Sequence, residues 1–475
     1  MEQTKQNPRA LALQTLRGVA GGQYGNLAVD TVLRRHDLTE PDRHLFTALV
    51  YGVLERQVTL DYLLSRLSDR PPDALDDTVL YSLRLGLYQL IYMDRIPDHA
   101  AVGETVALVP RRLSGYVNAV LRAYLRLEAA LPDEPDGSRP PRENRLTTPD
   151  AWVLRFPDLG EPDGLTALSV AYGMPTEMCR LIIRAVGASR AASVLRAFGD
   201  KPPLTLRVNP RRLSREAFVK ALSGNGFTPM DGWYAPHAVR LAEGAVTALP
   251  GFADGDFFVQ DEASQLCVAA LDAHPGHVVV DTCACPGSKS FGLALDMQNQ
   301  GVLHAFDLHP SKLSLIDSSA TRLGLTVIRT AARDARDPDP TLVGTADRVL
   351  CDVPCSGLGV MAKKPEIRHK DMTASSRLPS IQRAILEASA AYLKVGGVLV
   401  YSTCTVLPEE NEEVVTAFLA AHPEFAPVDF QFPVQGDAAD RPDDIISHGG
   451  CVTLLPDTNR TDGFFIAKLQ RTVSL

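Results

Sequence analysis

Short apolar segments alternate with helix-length segments from Gly251 to the end of the chain, and this alternation restricts the fold more than any other feature. The apolar segments include "HVVVD", "GVLHAFD", "ADRVLCDVP" and "GGVLVYSTC". Strands that are apolar throughout are typical of sheets covered by helices on both faces. The pattern predicts a doubly wound α/β domain over residues 251–475, which ends in the additional strands "GCVTLLP" and "GFFIAKLQ".

The part of the chain before this domain follows a different pattern. Residues 9 to about 128 carry apolar residues at helical spacing, which predicts a compact all-α bundle and a first domain over residues 1–132. The stretch "LPDEPDGSRPPRENRLTTPD" is rich in Pro, Asp and Arg, so residues 133–150 are predicted to be a linker. Residues 151–250 mix helical segments with short strands such as "PLTLRVN", which predicts a small α+β module.

Composition limits the class of protein. The sequence has no run of about 18 apolar residues, and its start lacks the apolar block of a signal peptide, so we expect a cytoplasmic protein without a membrane span. The net charge of −9 argues against wholesale wrapping of nucleic acid, but it is compatible with a local basic groove. The 8 cysteines are expected to be mostly reduced thiols in that compartment.

Four predicted strands in succession end at an aspartate: Asp281, Asp307, Asp334 and Asp352. Ligands of open α/β sheets bind beyond the carboxyl ends of the strands, where helix N-termini offer free N–H groups and acidic side chains accept ribose hydroxyls. The first loop, "DTCACPGSKS", is neither GxGxxG nor a P-loop, so S-adenosylmethionine suits the pattern better than a dinucleotide. Any one aspartate can be a simple turn former, but four in order favour a ligand site.

Two cysteines follow neighbouring predicted strands. Cys355 ends "CDVPC" and Cys404 ends "YSTC". Because adjacent strand ends converge on one crevice, both thiols are expected to face one pocket. Cys404 lies between its strand and a helix start predicted at "PEE", where the helix dipole would lower the pKa of a thiol. This is the position of a nucleophile.

Two other roles for cysteine are less favoured. A lone cysteine in a core strand is usually a small buried hydrophobe. That interpretation is given to Cys179, Cys267, Cys351 and Cys451. Four thiolates for zinc would have to come from Cys283, Cys285, Cys351 and Cys355. Structural zinc sites usually contain CxxC-type pairs, which these residues do not form, so no metal site is predicted.

Several motifs resemble those of the RNA 5-methylcytosine methyltransferases. They are "DTCACPGSKS", "CDVPCSGLGV", "YSTCTVLPEENEEVV", "VQDEASQ" and "LTLRVNP". The N-terminal helices, ending in "SGYVNAVLRAYLR", resemble the NusB fold, and the combination is similar to bacterial family members that act on 16S rRNA. The resemblance covers nearly the whole chain. It implies a NusB-like all-α bundle, a small α+β RNA-binding module and a class I, Rossmann-like methyltransferase domain that uses S-adenosylmethionine.

The resemblance also implies roles for individual residues. Cys404 would bond to carbon 6 of cytosine, so that carbon 5 can attack the methyl group, and Cys355 would assist release of the product. Asp352 would lie near the pyrimidine and the cofactor, and Lys289 would contact cofactor or base. Within the cofactor site, residues 283–289 would cradle the methionine part, Asp307 the ribose and Asp334 the adenine. The implied cofactor residues are Cys283, Ala284, Cys285, Pro286, Gly287, Ser288, Lys289, Asp307, Asp334 and Asp352.

The cofactor loop, residues 283–289, departs from the usual CAAPGGKT of the family. Cys285 replaces an alanine and Ser288 replaces the second glycine. If that second position needs a positive φ, a serine there costs on the order of 1 kcal/mol. The residues with the four central roles are unchanged.

Basic stretches within the acidic chain are the predicted RNA contacts. "NPRR" and "AKKPEIRHK" supply most of them, and "VPRRLSG" adds Arg111 and Arg112. The others are Arg207, Arg211, Arg212, Lys363, Lys364, Arg368 and Lys370. The alternative for each residue is a solvated charged face. Contacts to phosphate would make binding fall steeply with salt.

The resulting prediction is a monomeric enzyme that methylates carbon 5 of a cytosine in 16S rRNA, either protein-free or in an early assembly particle. Three alternatives stay open. The same chemistry could act on tRNA or large-subunit rRNA, the chain could be a noncatalytic RNA-binding assembly factor, or its substrate could be a small molecule. The two thiols argue against a pure binding factor, since binding needs neither. The two extra modules argue against a small substrate, which needs no such platform.

Overall fold

The computed structural model describes residues 7–23, 25–129, 164–242, 244–435 and 441–473. The chain divides into two compact units: unit 1 comprises Met1–Gly199 and Lys364–Lys370, and unit 2 comprises Asp200–Lys363 and Asp371–Leu475. The predicted linker, residues 133–150, lies outside the described residues. Among the residues described, no helix has both the length and the apolar character that spanning a membrane requires.

Unit 1 is helical, as the apolar spacing of its sequence predicts. Its longest helix begins after Thr39, whose side chain accepts a hydrogen bond from the Asp42 N–H, and it buries apolar residues such as Phe46 and Leu60 along one side. The helices are α1 (Pro8–Ala20), α2 (Gly25–Arg35), α3 (Glu40–Leu67), α4 (Asp77–Tyr92), α5 (Asp98–Val106), α6 (Arg111–Ala129), α7 (Gly164–Tyr172), α8 (Thr176–Val186) and α9 (Ala188–Ala197).

Unit 1 extends past the domain boundary predicted at residue 150. Thr59 Oγ1 in α3 donates a hydrogen bond to the Val170 carbonyl in α7 over 2.6 Å. Gly173 has a φ of 66° and approaches α3 so closely that an added Cβ would lie 2.3 Å from the Glu55 carbonyl oxygen. Helices α7–α9 therefore belong to the compact unit 1, whereas the sequence grouped residues 151–250 in one module, and the bounds of the domains stay a prediction. Helical periodicity alone could not assign them, because it is the same in either domain.

The segment Lys364–Lys370 completes unit 1. Its 3-10 helix, Pro365–His369, buries Arg368, which is 1% exposed. Arg368 donates from Nη1 to the Glu55 carbonyl over 3.0 Å and from Nη2 to the Phe198 carbonyl over 2.6 Å. This position corrects the prediction that Arg368 contacts RNA, because these guanidinium donors are already bound to carbonyls in the protein interior.

A four-stranded antiparallel sheet opens unit 2, in the order β2-β3-β1-β4. Its elements are β1 (Leu204–Val208), α10 (Arg215–Gly224), β2 (Met230–Asp231), β3 (Ala238–Leu241) and β4 (Phe257–Val259). Leu206 and Val208 on β1 pack with Phe218 of α10 in a common apolar core. This sheet and its helix are the small α+β module that the sequence predicts.

The larger sheet of unit 2 has the strand order β10-β14-β9-β8-β5-β6-β7, with β13 paired to β14. Strands β9, β8, β5, β6 and β7 are parallel, and β14 is antiparallel to β9. The strands are β5 (Val278–Asp281), β6 (Val302–Asp307), β7 (Ile328–Ala332), β8 (Ala346–Asp352), β9 (Leu393–Thr403), β10 (Phe425–Pro427), β13 (Cys451–Leu454) and β14 (Phe464–Arg471), and a separate pair joins β11 (Gln431–Phe432) to β12 (Ile445–Ile446). The helices are α11 (Glu262–Leu271), α12 (Ser288–Asp296), α13 (Pro310–Leu323), α14 (Leu378–Ala390), α15 (Glu412–Ala421) and α16 (Pro456–Asn459). The predicted α/β fold with additional strands at its end is confirmed.

The carboxyl ends of the parallel strands carry the predicted site residues. Asp281, Asp307 and Asp352 are the last residues of β5, β6 and β8, and Cys404 follows β9 directly. Asp334 lies two residues beyond the end of β7, so the third strand is slightly shorter than the sequence suggested. Because the chain returns from β7 at one side of β5 to β8 at the other, the sheet has its switch point between β5 and β8, where ligands of such sheets bind.

Candidate active site

The thiols of Cys355 and Cys404 meet at the carboxyl edge of the larger sheet, with 3.3 Å between their Sγ atoms. Strands β8 and β9 are parallel neighbours that pair Asp352 with Ser402, so the loops leaving them begin side by side. The hydrogen bond to Cys404, burial, and the negative charge of Glu410 raise the pKa of Cys355 well above its usual range. Cys355 is therefore a neutral thiol beside a second sulfur.

The chain after Cys404 differs from the prediction. Pro408–Glu410 forms a 3-10 turn, and the helix predicted from Pro408 begins only at Glu412. Thr403 Oγ1 donates to the side chain of Asn411, the residue before that helix, over 2.6 Å. The turn buries Glu410, which the sequence placed in the first turn of a helix.

An ion pair lies next to the thiols. Lys289 Nζ donates to Asp352 Oδ2 over 2.7 Å, and Ser402 Oγ donates to Asp352 Oδ1 over 2.7 Å. Burial lowers the pKa of Lys289, but the Asp352 carboxylate raises it, and the net pKa lies above its usual range. Lys289 is therefore a fixed cation, and both oxygens of the Asp352 carboxylate are held in place. Hydrogen bonds of this kind to an ionised acceptor are among the stronger ones in proteins.

The cofactor loop turns at Gly287, which has a φ of 109°, and Ser288 is the first residue of α12. A Cβ on Gly287 would also lie 2.5 Å from the Phe291 ring. The left-handed position is therefore Gly287 and not Ser288, and the penalty considered for the serine does not arise. Gln260 Nε2 donates to the Ser288 carbonyl over 3.0 Å and so ties the start of α12 to the end of β4.

The aspartates at the strand ends have different surroundings. Asp281 is buried and accepts from Ser290 Oγ over 2.6 Å, and burial raises its pKa to about 7. Asp307 accepts the backbone N–H of His309 over 2.9 Å. Asp334 is paired with Arg336, whose hydrogen bonds lower the pKa of Asp334 to about 2. Its predicted adenine contact therefore requires a ligand to share or replace that ion pair.

Asp281 and Asp352 thus lie at the ends of β5 and β8, the two strands that flank the switch point, and Asp307 lies at the end of the neighbouring strand β6. In the described part of the chain, no three side chains of the His, Cys, Asp and Glu types are grouped so that they could hold a metal ion. Of the cysteines considered as zinc ligands, Cys351 is fully buried on β8.

Besides Arg368, two of the predicted RNA contacts bind other residues of the protein. Arg207 is 4% exposed, and its Nη2 donates to Asp296 Oδ1 over 2.5 Å and to the Gly292 carbonyl over 3.4 Å. It joins β1 to α12, the helix that follows the cofactor loop. This position corrects the prediction that Arg207 contacts RNA, because a buried and paired guanidinium does not reach a phosphate.

Lys363 is the second engaged residue. Its Nζ donates to Asp261 Oδ2 over 2.5 Å and to Asp462 Oδ2 over 2.7 Å. Two carboxylates balance its charge, but the residue is exposed, so its contact with RNA stays a prediction. The remaining basic residues are also exposed, and their contacts with RNA stay predictions. They are Arg111, Arg112, Arg211, Arg212, Lys364 and Lys370.

Sequence reasoning missed some residues that support the site. Ser402 binds Asp352, Gln260 binds the start of α12, and Phe464 has its ring centroid 5.1 Å from Lys289 Nζ. Ser402 and Gln260 lie inside quoted motifs, "YSTC" and "VQDEASQ", so their positions next to predicted site residues were an available signal. Phe464 comes from β14, and no local pattern links it to Lys289.

Comparison with known proteins agrees with this architecture. A family model described as 16S rRNA methyltransferase RsmB/F matches residues 268–470, a NusB family model matches residues 6–126, and a model of the RsmF/B-like ferredoxin-like domain matches residues 174–247. The probable ribosomal RNA small subunit methyltransferase B of Bacillus subtilis is 34% identical over 98% of this chain and 99% of its own length. The ribosomal RNA small subunit methyltransferase B of Cronobacter sakazakii is 34% identical over 98% of both chains.

A solved structure supports the fold across the whole chain. The crystal structure of PH0851 matches with a TM-score of 0.75 at 22% identity, covering 99% of this chain and 100% of that one. That likeness concerns the fold, whereas the sequence relatives span all three predicted parts at over 30% identity. The chain therefore belongs to the RsmB/F family of 16S rRNA methyltransferases.

Proposed function

We propose that this chain transfers a methyl group from S-adenosylmethionine to carbon 5 of a specific cytosine in 16S rRNA, through a covalent bond between Cys404 and the base. The observation that carries the proposal is the pair of Sγ atoms 3.3 Å apart beside the Lys289–Asp352 ion pair. A noncatalytic RNA-binding protein needs neither thiol, and methyl transfer to a nitrogen or oxygen needs no sulfur that bonds to the base. We further propose that the enzyme is a monomer and that it acts in the cytoplasm, where ribosomal RNA is available.

The residues at the strand ends fit S-adenosylmethionine. Asp281 Oδ1 is buried and has no hydrogen-bond partner among the described residues, so a cationic group of a ligand would complement it. Residues 283–289 would hold the methionine part at the start of α12, Asp307 the ribose hydroxyls, and the loop of Asp334 the adenine. When bound, the cofactor supplies a methyl group on a positively charged sulfur.

The residues of the chain would prepare the base for that methyl group. A paired cytosine must first leave its helix, because carbon 6 is out of reach in a stacked duplex. Cys404 would then form a bond from its sulfur to carbon 6, which makes carbon 5 electron-rich. As this bond forms, the Cys404 thiol proton would pass to N3, and Asp352, held by Lys289 and Ser402, would accept a hydrogen bond from the N3–H.

Cys355 would act after methylation. The carbon 5 proton must leave and the bond between Cys404 and carbon 6 must break, which restores the aromatic base and frees the thiol. Cys355, a neutral thiol beside Cys404, would give its proton to the departing Cys404 sulfur and then accept the carbon 5 proton, so that both thiols are restored. The N3 proton would pass to solvent. Without it, the covalent protein–RNA adduct would persist.

The test uses purified protein, protein-free 16S rRNA and radiolabelled S-adenosylmethionine, with wild type, Cys404→Ala and Cys355→Ala compared. We expect label in 5-methylcytosine with wild type, none with Cys404→Ala, and a stable protein–RNA adduct with Cys355→Ala. Transfer to tRNA or to large-subunit rRNA in place of 16S rRNA would redirect the substrate assignment. Label in 5-methylcytosine with Cys404→Ala would contradict the covalent mechanism.

A further inference from the structure

Glu410 has a buried side chain that the proposed chemistry does not use. It ends the 3-10 turn Pro408–Glu410 and is 1% exposed. Its Oε2 accepts the backbone N–H of Ser356 over 2.9 Å and the side-chain amide of Gln382 over 2.8 Å. Its Oε1 is buried without a hydrogen-bond partner in the part of the chain described. Glutamate is almost never fully buried without a specific partner, because removing a carboxylate from water costs several kcal/mol.

The partners of Glu410 lie on both sides of Cys355. Ser356 follows Cys355 directly. Gln382, from α14, also donates to the carbonyl of Pro354, the residue before Cys355, over 3.0 Å. One carboxylate oxygen and one amide therefore fix the backbone before and after the thiol.

The same network reaches the loop of Cys404. Ser356 Oγ donates to Thr405 Oγ1 over 2.7 Å, and Thr405 follows Cys404 directly. Tyr401, near the end of β9, donates from its hydroxyl to the Glu410 carbonyl over 2.6 Å. A shift of Glu410 would therefore move the two sulfur atoms relative to each other.

We propose that Glu410 is a positioning residue for the two-cysteine reaction: its side chain, bound to Ser356 and Gln382, holds Cys355 at the distance from Cys404 that product release requires. The inference rests on the proposed function, since it gives Glu410 a part in the release step assigned to Cys355. Misplacement of a reacting group by about 1 Å can reduce a rate roughly 100-fold. The role therefore predicts a large effect from a residue whose side chain is buried inside the protein.

Three substitutions separate the position of the side chain from its charge. Glu410→Gln keeps the length and offers one oxygen that can accept both hydrogen bonds, but it is uncharged. Glu410→Asp keeps the charge but shortens the side chain by one methylene, so the carboxylate lies further from Ser356 and Gln382. Glu410→Ala removes the charge and the hydrogen-bond acceptors together. Glu413→Ala, at an exposed glutamate of α15, is the matched control.

The measurement is made on each variant with 16S rRNA and radiolabelled S-adenosylmethionine. It records turnover to 5-methylcytosine and the fraction of protein trapped as a covalent RNA adduct. We expect turnover to fall about 10- to 100-fold in the Asp and Ala variants while adduct accumulates, and to stay within about 3-fold of wild type in the Gln variant and the control. A loss of folded protein would lower turnover and adduct together, so accumulation of adduct identifies the positioning role.

Two outcomes would overturn the inference. One is an adduct fraction equal to that of wild type in both the Asp and Ala variants. The other is reduced turnover in the Gln variant with normal turnover in the Asp variant, which would assign the effect to charge. If Glu410→Ala does not fold, the comparison of Asp with Gln decides. Wild type that forms no 5-methylcytosine on protein-free 16S rRNA or on an early assembly particle would refute the proposed function and this inference with it. Active wild type with unchanged variants would refute the inference alone.

Discussion

Cys355 Sγ lies 3.3 Å from Cys404 Sγ, although the two residues are 49 positions apart in the chain. Parallel pairing of β8 and β9 brings their loops together, and the hydrogen bonds of Glu410 connect both loops. Two thiols so close share their surroundings.

Mild oxidation should therefore inactivate the enzyme. The two sulfurs need only a small approach to reach a disulfide bond of about 2.05 Å. Hydrogen peroxide would accept the two electrons and be reduced to water as the two thiols lose their hydrogens. We expect methyl transfer to be lost on peroxide treatment and recovered with dithiothreitol, and peptide mass spectrometry without reduction should find Cys355 joined to Cys404.

A Cys355→Ser variant is the control for this oxidation, because it cannot form the bond. Peptides that join other cysteine pairs, or activity that dithiothreitol does not restore, would contradict the prediction.

Replacement of Lys289 by Met should destabilise the protein as well as reduce its activity. The change leaves the Asp352 carboxylate, which is 25% exposed at its side chain, without its cation. We expect the free energy of unfolding to fall by about 1–3 kcal/mol and turnover to fall about 100-fold. Urea denaturation and methyl-transfer assays measure the two effects. The double variant Lys289→Met/Asp352→Leu should regain stability without activity, and if stability is not regained the ion pair is not the cause.

Asp281→Asn should change how stability depends on pH. Burial raises the pKa of Asp281 from 3.8 to about 7. Between these values the unfolded chain loses the proton while the folded chain keeps it, so the stability contributed by this group is full below the lower value and is lost as the pH rises to about 7. Asn cannot ionise, so the variant should gain stability relative to wild type across that window and show a constant difference above it.

Urea denaturation of both proteins at several pH values tests this prediction, since all other titrating groups are shared and largely cancel in the difference. A difference that does not vary between pH 3.8 and about 7 would show that Asp281 is ionised in the folded protein.

Arg368 and Arg112 should respond oppositely to substitution. Arg368→Leu removes two buried hydrogen bonds, so we expect a loss of about 2–4 kcal/mol in the free energy of unfolding with little change in the salt dependence of RNA binding. Arg112, exposed at the start of α6, is predicted to contact phosphate. Arg112→Ala should keep its stability and lower the slope of log affinity against log salt by about 0.7–0.9.

Filter binding at several salt concentrations, together with urea denaturation, separates the two effects. A reduced slope for Arg368→Leu would restore the prediction that this residue contacts RNA.

Local pattern predicted those site residues whose positions depend on strand boundaries. Asp281, Asp307, Asp352 and Cys404 follow apolar strands, and an apolar run ending in a polar residue is visible in the sequence itself. The choice between Gly287 and Ser288 as the left-handed residue was not visible, because both are compatible with a tight turn before a helix. Only the backbone of the folded loop settles it.

Long-range partners explain the residues that were misjudged. The local sequence of Arg207 is typical of an exposed basic residue, yet its carboxylate partner lies 89 residues further along the chain. Arg368 binds carbonyls 313 and 170 residues earlier. Glu410 lies in an acidic stretch, but its carboxylate accepts a hydrogen bond from a backbone N–H 54 residues earlier in the chain. Such pairings exist only after the fold forms, so periodicity and motif spacing do not reveal them.

The segment Lys364–Lys370 also has a consequence for the order of synthesis. It completes unit 1, yet the ribosome produces it roughly 160 residues after Gly199, the end of the main part of that unit. At about 5–20 residues per second, something like ten to thirty seconds pass before Arg368 can reach the carbonyls of Glu55 and Phe198. The first unit to leave the ribosome is thus completed late, and a nascent chain that stops at Gly199 lacks part of its own interior.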